Sequence, residues 1–459
     1  MAELQFSLRN TLLKLLEEKR YYSLRDLFNT MNPVDIAAVL EEVDEARLPL
    51  LFRLLPKELA AETFVEMEPE LQELLIRGFS DSELKEVIDE LYVDDAVDIV
   101  EEMPANVVQR ILTQAEPEMR KQINEILRYP EDSAGSIMTT EYVSLRPSMT
   151  VEEAILRIRR TGIDKETIYT CYVTRGHKLI GLVTVKELLL CDDDDATIES
   201  IMQEHVISVN TLDDQEQVAQ MFSKYNFLAL PVVDTENRMV GIITFDDAMD
   251  VIEDETTEDM EKMAAMLPSE HPYLRSSPFE IWKNRIPWLL LLMISATLTG
   301  LVISKFEDAL GVLPCLTAFI PMLMDTGGNA GSQASVTIIR GIGLGEVEFR
   351  DLFKIIWKEI RVAVLCGICL AIACFAKVML VDHLLMHNDS VSTTVALVVC
   401  LSLALTVFIA KLVGCTLPLV AKKLGFDPAV MASPLITTMV DFLSLLIYFS
   451  IAVALLHIS

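Results

Sequence analysis

Histidine is scarce in this chain, with six residues among 459, and the six are scattered along its length. No glycine-rich loop precedes a predicted helix in the manner of a phosphate-binding loop. These absences exclude the common histidine-based catalytic sites and the phosphate-cradling loops of nucleotide enzymes. We therefore predict that the protein is not an enzyme.

The eight cysteines give no disulfide framework, since most of them fall within apolar segments where a thiol serves as a small packing group. The first ten residues, MAELQFSLRN, have neither the basic start nor the apolar core of a secretory signal. We expect no cleaved signal peptide and a front part that stays in the cytoplasm.

Basic residues are too few to balance the acidic ones, and the deficit lies in one part of the chain. Residues 1–280 hold 58 acidic against 26 basic side chains, whereas the last 179 residues hold 11 against 12. The net charge of −31 thus belongs to the front part, and the back part is apolar. Strong acidity argues against nucleic acid as a partner and favours cations.

Residues 32–130 contain an internal repeat with a period of 24 residues. Helix-start pairs recur at this spacing: Asn32-Pro33, Pro56-Lys57, Ser80-Asp81 and Pro104-Ala105. Each unit predicts two short helices, which cannot bury their apolar faces alone and must stack on their neighbours. The pattern predicts a superhelical repeat domain over residues 1–131.

A second repeat begins at residue 136, and its copies match at Ser136-Ile137-Met138 with Ser200-Ile201-Met202 and at Ile180–Thr184 with Val240–Thr244. Each copy predicts strand, helix, strand, glycine turn, strand and helix. The pattern resembles a tandem pair of CBS modules, which we place over residues 132–252. The resemblance implies adenine-nucleotide binding, with ATP as the candidate ligand at Thr244 and Asp247. The first copy has Thr184 and Glu187 in their place.

Residues 246–266 predict one long acidic helix leading towards the apolar part of the chain. Its carboxylates fall at helical spacing and stack along one face: Asp247, Asp250, Asp254 and Glu258. A charge run is usually a solvated surface, and that interpretation stays open. The position between a sensor-like and a pore-like module favours a regulatory connector over residues 253–280.

Five hydrophobic segments follow within residues 281–459, at about 286–304, 310–340, 358–381, 391–421 and 429–457. Each is long enough to cross a hydrocarbon core about 30 Å thick and to contact membrane lipid. The distribution of Lys and Arg between them predicts an amino terminus in the cytoplasm and a carboxyl terminus outside. We expect a multi-pass protein of the cell inner membrane. The predicted fold class is therefore multidomain: an α-helical superhelical repeat, an α+β CBS pair and an α-helical transmembrane domain with five spans.

Asp441 lies midway along the last apolar segment. A carboxylate there is costly unless it faces water, a cation or a partner group. Helical spacing puts it on a polar stripe typical of a pore-lining helix: Pro434, Thr437, Asp441, Ser444 and Tyr448. A hydrogen bond from Asp441 to a neighbouring helix is the alternative interpretation.

The second segment carries its own polar face in the run MDTGGNAGSQAS, residues 324–335. Asp325, Asn329 and Gln333 are four residues apart and share a face. Gly327 and Gly331 form a GxxxG pattern that permits close approach of another helix. Oxygen donors without His or Cys clusters favour magnesium or calcium over zinc or copper.

The order of these parts, together with the runs MDTGGNAGSQAS and DPAVMASPLITTMVD, resembles the MgtE family of magnesium channels. The resemblance implies uptake of Mg²⁺ through a homodimer whose pore runs along the twofold axis. It implies an ion site at Asp441 and a path lined by Asp325, Asn329, Ser433 and Thr437.

The same resemblance implies that Mg²⁺ bound between the cytosolic domains closes the pore. The acidic residues that it implies as regulatory ligands are Asp94, Asp98, Asp214, Glu216, Asp247, Asp250, Glu255, Glu258, Asp259 and, at the cytoplasmic mouth, Asp427. Mutual repulsion of these charges would be relieved by bridging divalent ions, which would favour the packed arrangement.

Two other interpretations stay open. A pore of the same design would carry cobalt, manganese or calcium instead of magnesium. Alternatively, the spans would only anchor a CBS-type nucleotide sensor in the membrane. The polar groups at Asp325 and Asp441 argue against an anchor, which does not need them.

Overall fold

The chain divides between Ile252 and Glu253 into two structural units. This computed structural model describes residues 11–12, 14–269, 273–274, 276–385, 387 and 391–456, without the side chains of residues 164, 308, 309 and 433. The two units are described separately below.

The first unit opens with a run of short helices: α1 (Tyr21–Phe28), α2 (Pro33–Leu40), α3 (Leu48–Phe52), α4 (Lys57–Val65), α5 (Pro69–Gly78), α6 (Asp81–Ile88), α7 (Val93–Glu102), α8 (Ala105–Gln114) and α9 (Pro117–Ile126). Helices α2, α4, α6 and α8 start 24 residues apart, which confirms the predicted repeat. Proline in the first turn starts α2, where a missing N–H costs nothing. A capping box of Ser80 with Glu83 starts α6.

Two three-stranded sheets follow, and each has the element order predicted from the second repeat. The first module contains β1 (Tyr142–Leu145), α10 (Val151–Thr161), β2 (Thr167–Arg175), β3 (Lys178–Thr184) and α11 (Val185–Leu189), after which comes α12 (Ile198–Ile201). The second contains β4 (Val209–Asn210), α13 (Gln215–Tyr225), β5 (Ala229–Val233), β6 (Met239–Thr244) and α14 (Phe245–Met263). In both sheets the first two strands are parallel and the last two antiparallel.

The apolar core of the helical repeat continues into the second module. Met138, Phe222 and Leu230 belong to the same buried cluster as the helices. The first module has its own core, built around Val143, Val173 and Val183. Because the helical repeat and the second module share a core, acidic residues from both are brought together in this unit.

The second unit is almost entirely helical: α15 (Pro278–Lys305), α16 (Glu307–Val312), α17 (Ile320–Gly343), α18 (Leu352–Lys377), α19 (Thr393–Lys423) and α20 (Ser433–Leu456). A π-helical stretch, Val378–Leu385, extends α18. Among the residues that the structure describes, four helical segments are long and apolar enough to cross a membrane: Pro278–Lys305, Phe349–Leu385, Thr393–Lys423 and Ala429–Leu456. Helix α17 has 24 residues but contains the polar run, and its span therefore stays a prediction.

Burial differs sharply among these helices. In the most apolar 18-residue stretch of each helix, 61% of the residues of α19 are buried, but only 6% of those of α15. Helix α19 is the central packing element, and α17 and α20 both pack against it and against each other. This triple packing positions the polar residues of the predicted pore.

Candidate cation sites

Glycines allow α17 to lie unusually close to α19 and α20. A Cβ atom on Gly331 would come within 2.8 Å of Ile436 Cγ2 and 3.2 Å of the Ala410 carbonyl oxygen. A Cβ atom on Gly327 would come within 2.6 Å of Thr406 Cγ2. Real Cβ atoms almost never show contacts below 3.0 Å, and the predicted close approach at the GxxxG pattern is therefore confirmed.

The polar face of α17 lies next to this packed seam. The amide of Asn329 donates a hydrogen bond of 3.1 Å to Oδ1 of Asp325, and both side chains are exposed. A Cβ atom on Gly328 would lie 2.9 Å from Cγ2 of Thr437, so Thr437 of α20 contacts this part of α17. The structure thus brings three of the predicted pore residues together.

Asp441 lies one helical turn beyond Thr437 and is half-buried. Its Oδ1 is buried and has no hydrogen-bond partner among the described residues. Asp325 lies near enough for the two carboxylates to repel each other. The alternative interpretation was a hydrogen bond from a neighbouring helix to Asp441. In the described part of the chain, no such bond reaches this oxygen.

The predicted polar stripe on α20 is wrong at its carboxyl-terminal end. Ser444 is buried and donates to the Val440 carbonyl at 2.6 Å, and Tyr448 is buried and donates to the Leu316 carbonyl at 3.0 Å. Both hydroxyls therefore serve helix packing. The side chain of Ser433, another predicted pore residue, lies outside the described residues.

A carboxylate cluster occupies the first unit. Carboxylate oxygens of Asp94, Glu141 and Glu166 lie within 4.8 Å of one another. Asp94 is 8% exposed, and its Oδ1 has no hydrogen-bond partner among the described residues. The backbone N–H of Glu166 donates to the Glu141 carbonyl at 3.1 Å, which holds these two residues side by side. We call these three residues the Asp94 cluster.

Burial and mutual repulsion make these carboxyl groups hard to ionise. Burial, followed by the charge of Asp247, raises the pKa of Asp95 to about 7 and that of Asp94 well above its usual range. Burial and then Asp95 raise the pKa of Glu166 to about 8. The pKa of Asp98 is also raised, first by desolvation against its neighbours and then by the charge of Asp247, although part of this side chain remains exposed. A divalent cation would relieve this repulsion.

Other predicted regulatory residues have structural partners. Asp247 accepts hydrogen bonds from the Thr244 N–H at 3.2 Å and hydroxyl at 2.5 Å, which caps α14. Asp214 caps α13 by accepting from the Gln217 N–H at 3.2 Å. Glu216 accepts from the Gln220 amide at 3.2 Å.

Two further acids face each other in the first unit. Asp250 is exposed and lies near Glu66, whose pKa is raised by burial and then by the charge of Asp250. Glu66 follows α4, a helix of the repeat, whereas Asp250 belongs to the second CBS module. Neither acid of this pair caps the amino terminus of a helix as Asp214 does.

The end of α14 meets Asp427 within the second unit. Lys262 Nζ lies 2.6 Å from Glu258 Oε1 and 2.7 Å from Asp427 Oδ2. Asp259 is half-buried, and its pKa is raised by burial and then by Asp427. Glu255 is also half-buried on this helix. The predicted meeting of connector acids with Asp427 occurs, but an ammonium group lies between them.

Four residues at these sites escaped the sequence analysis: Asp95, Glu141, Glu166 and Lys262. Asp95 adjoins a predicted ligand and was available as a candidate. Glu141 and Glu166 meet only through strand pairing, and no spacing in the sequence links them to Asp94. Lys262 lies at helical spacing from Glu258, which was the signal that an ion pair forms there.

Comparison with known proteins decides the family. Residues 320–451 match the family model MgtE, described as divalent cation transporter, residues 31–132 match the MgtE intracellular N domain, and residues 134–192 and 198–254 match the CBS domain. The magnesium transporter MgtE of Thermus thermophilus is 36% identical over 452 residues, covering 97% of this chain and 98% of that protein. The chain belongs to the MgtE family. The Bacillus subtilis magnesium transporter MgtE is 31% identical over 444 residues, covering 96% of each chain.

Solved structures of MgtE relatives agree with the first unit. A crystal structure of the cytosolic domain of the Mg²⁺ channel MgtE in complex with ATP has 36% identity and a TM-score of 0.51, covering 53% of this chain and 99% of that one. The soluble part of a magnesium transporter has 32% identity and a TM-score of 0.51, covering 55% and 99%. The predicted order of a helical repeat, a CBS pair and a helical membrane domain is confirmed, whereas the fifth span stays a prediction.

Membership of the MgtE family also confirms the broader functional predictions. The chain is an integral membrane transporter and not an enzyme. Its candidate spans follow a front part that matches the soluble domains of its relatives.

Proposed function

We propose that this MgtE-family chain brings magnesium into the cell through a pore whose ion site is Asp441. The observation that carries the proposal is the buried Oδ1 of Asp441, which has no hydrogen-bond partner among the described residues. Such an oxygen within a membrane helix is costly unless a cation or water contacts it. The nearby charge of Asp325 makes a divalent cation the better match.

The donor chemistry supports magnesium as the substrate. Asp441, Asp325, Asn329 and Thr437 supply oxygen atoms, which are the ligands of hard cations. Magnesium gives up its water reluctantly, so these side chains would hold the hydrated ion through its water shell, with Ser433 at the entrance to α20. Relatives that align along almost the whole chain are magnesium transporters.

A second copy of the chain would complete the pore. Asp325 and Asn329 are exposed in one copy, although they lie in a helix flanked by membrane spans. Lipid cannot satisfy such groups, whereas a water-filled path between two copies can. We therefore propose a homodimer with Asp441 of each copy near the twofold axis, so that two carboxylates attract one divalent ion.

We also propose a five-span topology in the cell inner membrane. Helix α17 would be the fifth span, facing the pore on its polar side and the packed seam of glycines on the other. The exposed apolar surface of α15 would face lipid or the second copy. Five spans would put the two termini on opposite sides of the membrane, and the distribution of Lys and Arg predicts that the amino-terminal domains lie in the cytoplasm.

Magnesium would also regulate the pore through the cytosolic acids. The Asp94 cluster would bind one divalent ion, since its three carboxylates share one small volume and at least Asp94 is buried. Bound Mg²⁺ would favour the packed state of the first unit by its higher affinity for that state. Asp247 lies near Asp94, and Asp98 and Asp250 lie near Asp247. At the connector, the regulatory ligands would be Glu255, Glu258, Asp259 and Asp427.

ATP is a second proposed ligand, at the CBS pair. The relative crystallised with ATP aligns with the first unit at 36% identity. The Thr244 hydroxyl and Asp247 already cap α14, and a nucleotide would compete with this bond. Isothermal titration calorimetry of ATP into the wild-type protein tests whether the CBS pair binds the nucleotide. Heats equal to those of ATP titrated into buffer would contradict this proposal.

The transport proposal is tested by ion flux into liposomes. Wild type is expected to pass Mg²⁺, and Asp441→Asn to pass almost none while remaining folded. Asp351→Asn is the matched control, since Asp351 forms a surface ion pair with Lys354 at 2.8 Å. Competition by Co²⁺, Mn²⁺ and Ca²⁺ measures selectivity. A wild-type protein that passes no divalent ion would favour the membrane-anchored sensor instead.

A further inference from the structure

Lys262 is enclosed by carboxylates at the end of α14. Its Nζ lies 2.6 Å from Glu258 Oε1 and 2.7 Å from Asp427 Oδ2, and its side chain is 22% exposed. The other oxygen of Asp427 accepts from the Ala429 N–H at 2.7 Å, which orients the carboxylate. Charge-assisted bonds of this length are among the stronger hydrogen bonds in proteins.

Further contacts hold the same end of α14 on the membrane domain. Met263 packs against a buried cluster of Ile339, Ala429 and Ala432. The chain then turns back, and the Ser269 N–H donates to Glu261 Oε2 at 2.8 Å.

The segment after the turn is tied to the first membrane helix. The Leu267 N–H donates to the Asn284 carbonyl at 3.0 Å, and the Asn284 amide donates to the Pro268 carbonyl at 3.3 Å. All of these are direct protein contacts within the second unit. Together they fix residues 261–269 on α15 and the loop before α20.

Charge balance gives Lys262 its particular importance. Glu258, Asp259 and Asp427 would repel one another, and burial together with Asp427 already raises the pKa of Asp259. The pKa of Lys262 is raised by Asp427 and Glu258 despite its partial burial, so the amine stays charged. One ammonium among three carboxylates leaves two negative charges, which equal the charge of one divalent cation.

We propose that Lys262 is a built-in cation that docks the connector helix on Asp427 without any metal. The docked, closed arrangement then exists before Mg²⁺ binds, and Mg²⁺ adds to it by neutralising the remaining charge. The expected consequence is a pore that is partly closed at zero internal Mg²⁺, and only this consequence rests on the proposed transport function. The docking itself does not depend on which ion is carried.

Hydrogen–deuterium exchange on the full-length protein in nanodiscs with EDTA tests the docking directly. Lys262→Gln is expected to speed amide exchange over residues 256–269 about three- to tenfold, as loss of a partly exposed charge-assisted pair predicts. Lys262→Arg keeps the charge and should exchange like wild type. Lys354→Gln removes an exposed lysine, 84% accessible, and should change nothing in this segment.

Internal amides of α19 report whether each variant remains folded. If Lys262→Gln proves unfolded, Asp427→Asn removes the pair from the other side while keeping the oxygen that accepts from Ala429. Equal exchange in wild type and in the folded neutral variant would overturn the proposal. Flux is measured in parallel: Lys262→Gln should be more active at zero internal Mg²⁺. A wild type without flux would refute the transport proposal and leave the exchange result to decide the docking.

Discussion

Lys411 and Glu359 form an ion pair inside the membrane domain, with Nζ of Lys411 3.8 Å from Oε2 of Glu359. Lys411 belongs to α19 and Glu359 to α18, and their side chains are only 7% and 15% exposed. Each group neutralises the other where an isolated charge would be costly. The pair therefore fixes how α18 lies against the central helix α19.

Removing one partner of this pair should destabilise the membrane domain strongly. Lys411→Met leaves Glu359 buried and uncompensated, with an expected cost of about 3–5 kcal/mol. The double variant with Glu359→Gln should recover most of that loss. Thermal unfolding of detergent-solubilised protein measures both, with Lys354→Met as an exposed control. A single variant as stable as wild type would show that the pair contributes little.

The glycine seam gives a second prediction. Gly331→Ala should destabilise the packing of α17 by about 1–3 kcal/mol, because the new methyl group collides with Ile436 and Ala410. Gly300→Ala in α15 is the matched control, since nothing lies within 4 Å of a Cβ atom there. Chemical or thermal unfolding compares the two, and equal stability of both variants would contradict the tight seam.

Local patterns made the fold predictable. The period of 24 residues sets the starts of α2, α4, α6 and α8 because each unit must bury the same face on its neighbour. Thr184 with Glu187 and Thr244 with Asp247 both cap helices, so the two CBS copies correspond even where the acid differs. Such signals depend on residues near one another in sequence, and they can therefore be recognised without knowledge of tertiary contacts.

The sites were predictable only in part, because helical spacing states which residues share a face and not what covers it. Ser444 and Tyr448 share the face of Asp441, yet packing against α17 and Leu316 buries them. Glu141 and Glu166 come together through a backbone bond between residues far apart in sequence. Tertiary contacts of this kind leave no trace in composition or periodicity.

The pH dependence of the first unit follows from its raised carboxyl pKa values. The folded unit binds protons more tightly than the unfolded chain at Asp95, with a pKa of about 7, and Glu166, with a pKa of about 8. Its free energy of unfolding should therefore fall as pH rises from the ordinary carboxyl range towards about 8.

The first unit alone, residues 1–252, allows the measurement, because cytosolic parts of two relatives that cover 53% and 55% of this chain have been crystallised separately. Without metal its Tm should be lower at about pH 8.5 than at about pH 6. Added Mg²⁺ should raise Tm more at the higher pH, since protons no longer compete for the carboxylates. A Tm that rises with pH in EDTA would show that ionisation of Asp95 and Glu166 does not destabilise the folded unit.

Neutralising Glu166 separates repulsion from metal binding in the Asp94 cluster. In EDTA at about pH 8.5, Glu166→Gln should raise the Tm of the same fragment by about 2–4 °C, because one half-buried like charge is removed. In saturating Mg²⁺ the variant should gain less than wild type, because the ion loses one of its three carboxylates. Glu152→Gln, an exposed acid on α10, is the control and should behave as wild type in both conditions. A Tm increase with unchanged Mg²⁺ stabilisation would mean that Glu166 only repels its neighbours, whereas a Tm decrease in EDTA would mean that its carboxylate supports the metal-free fold.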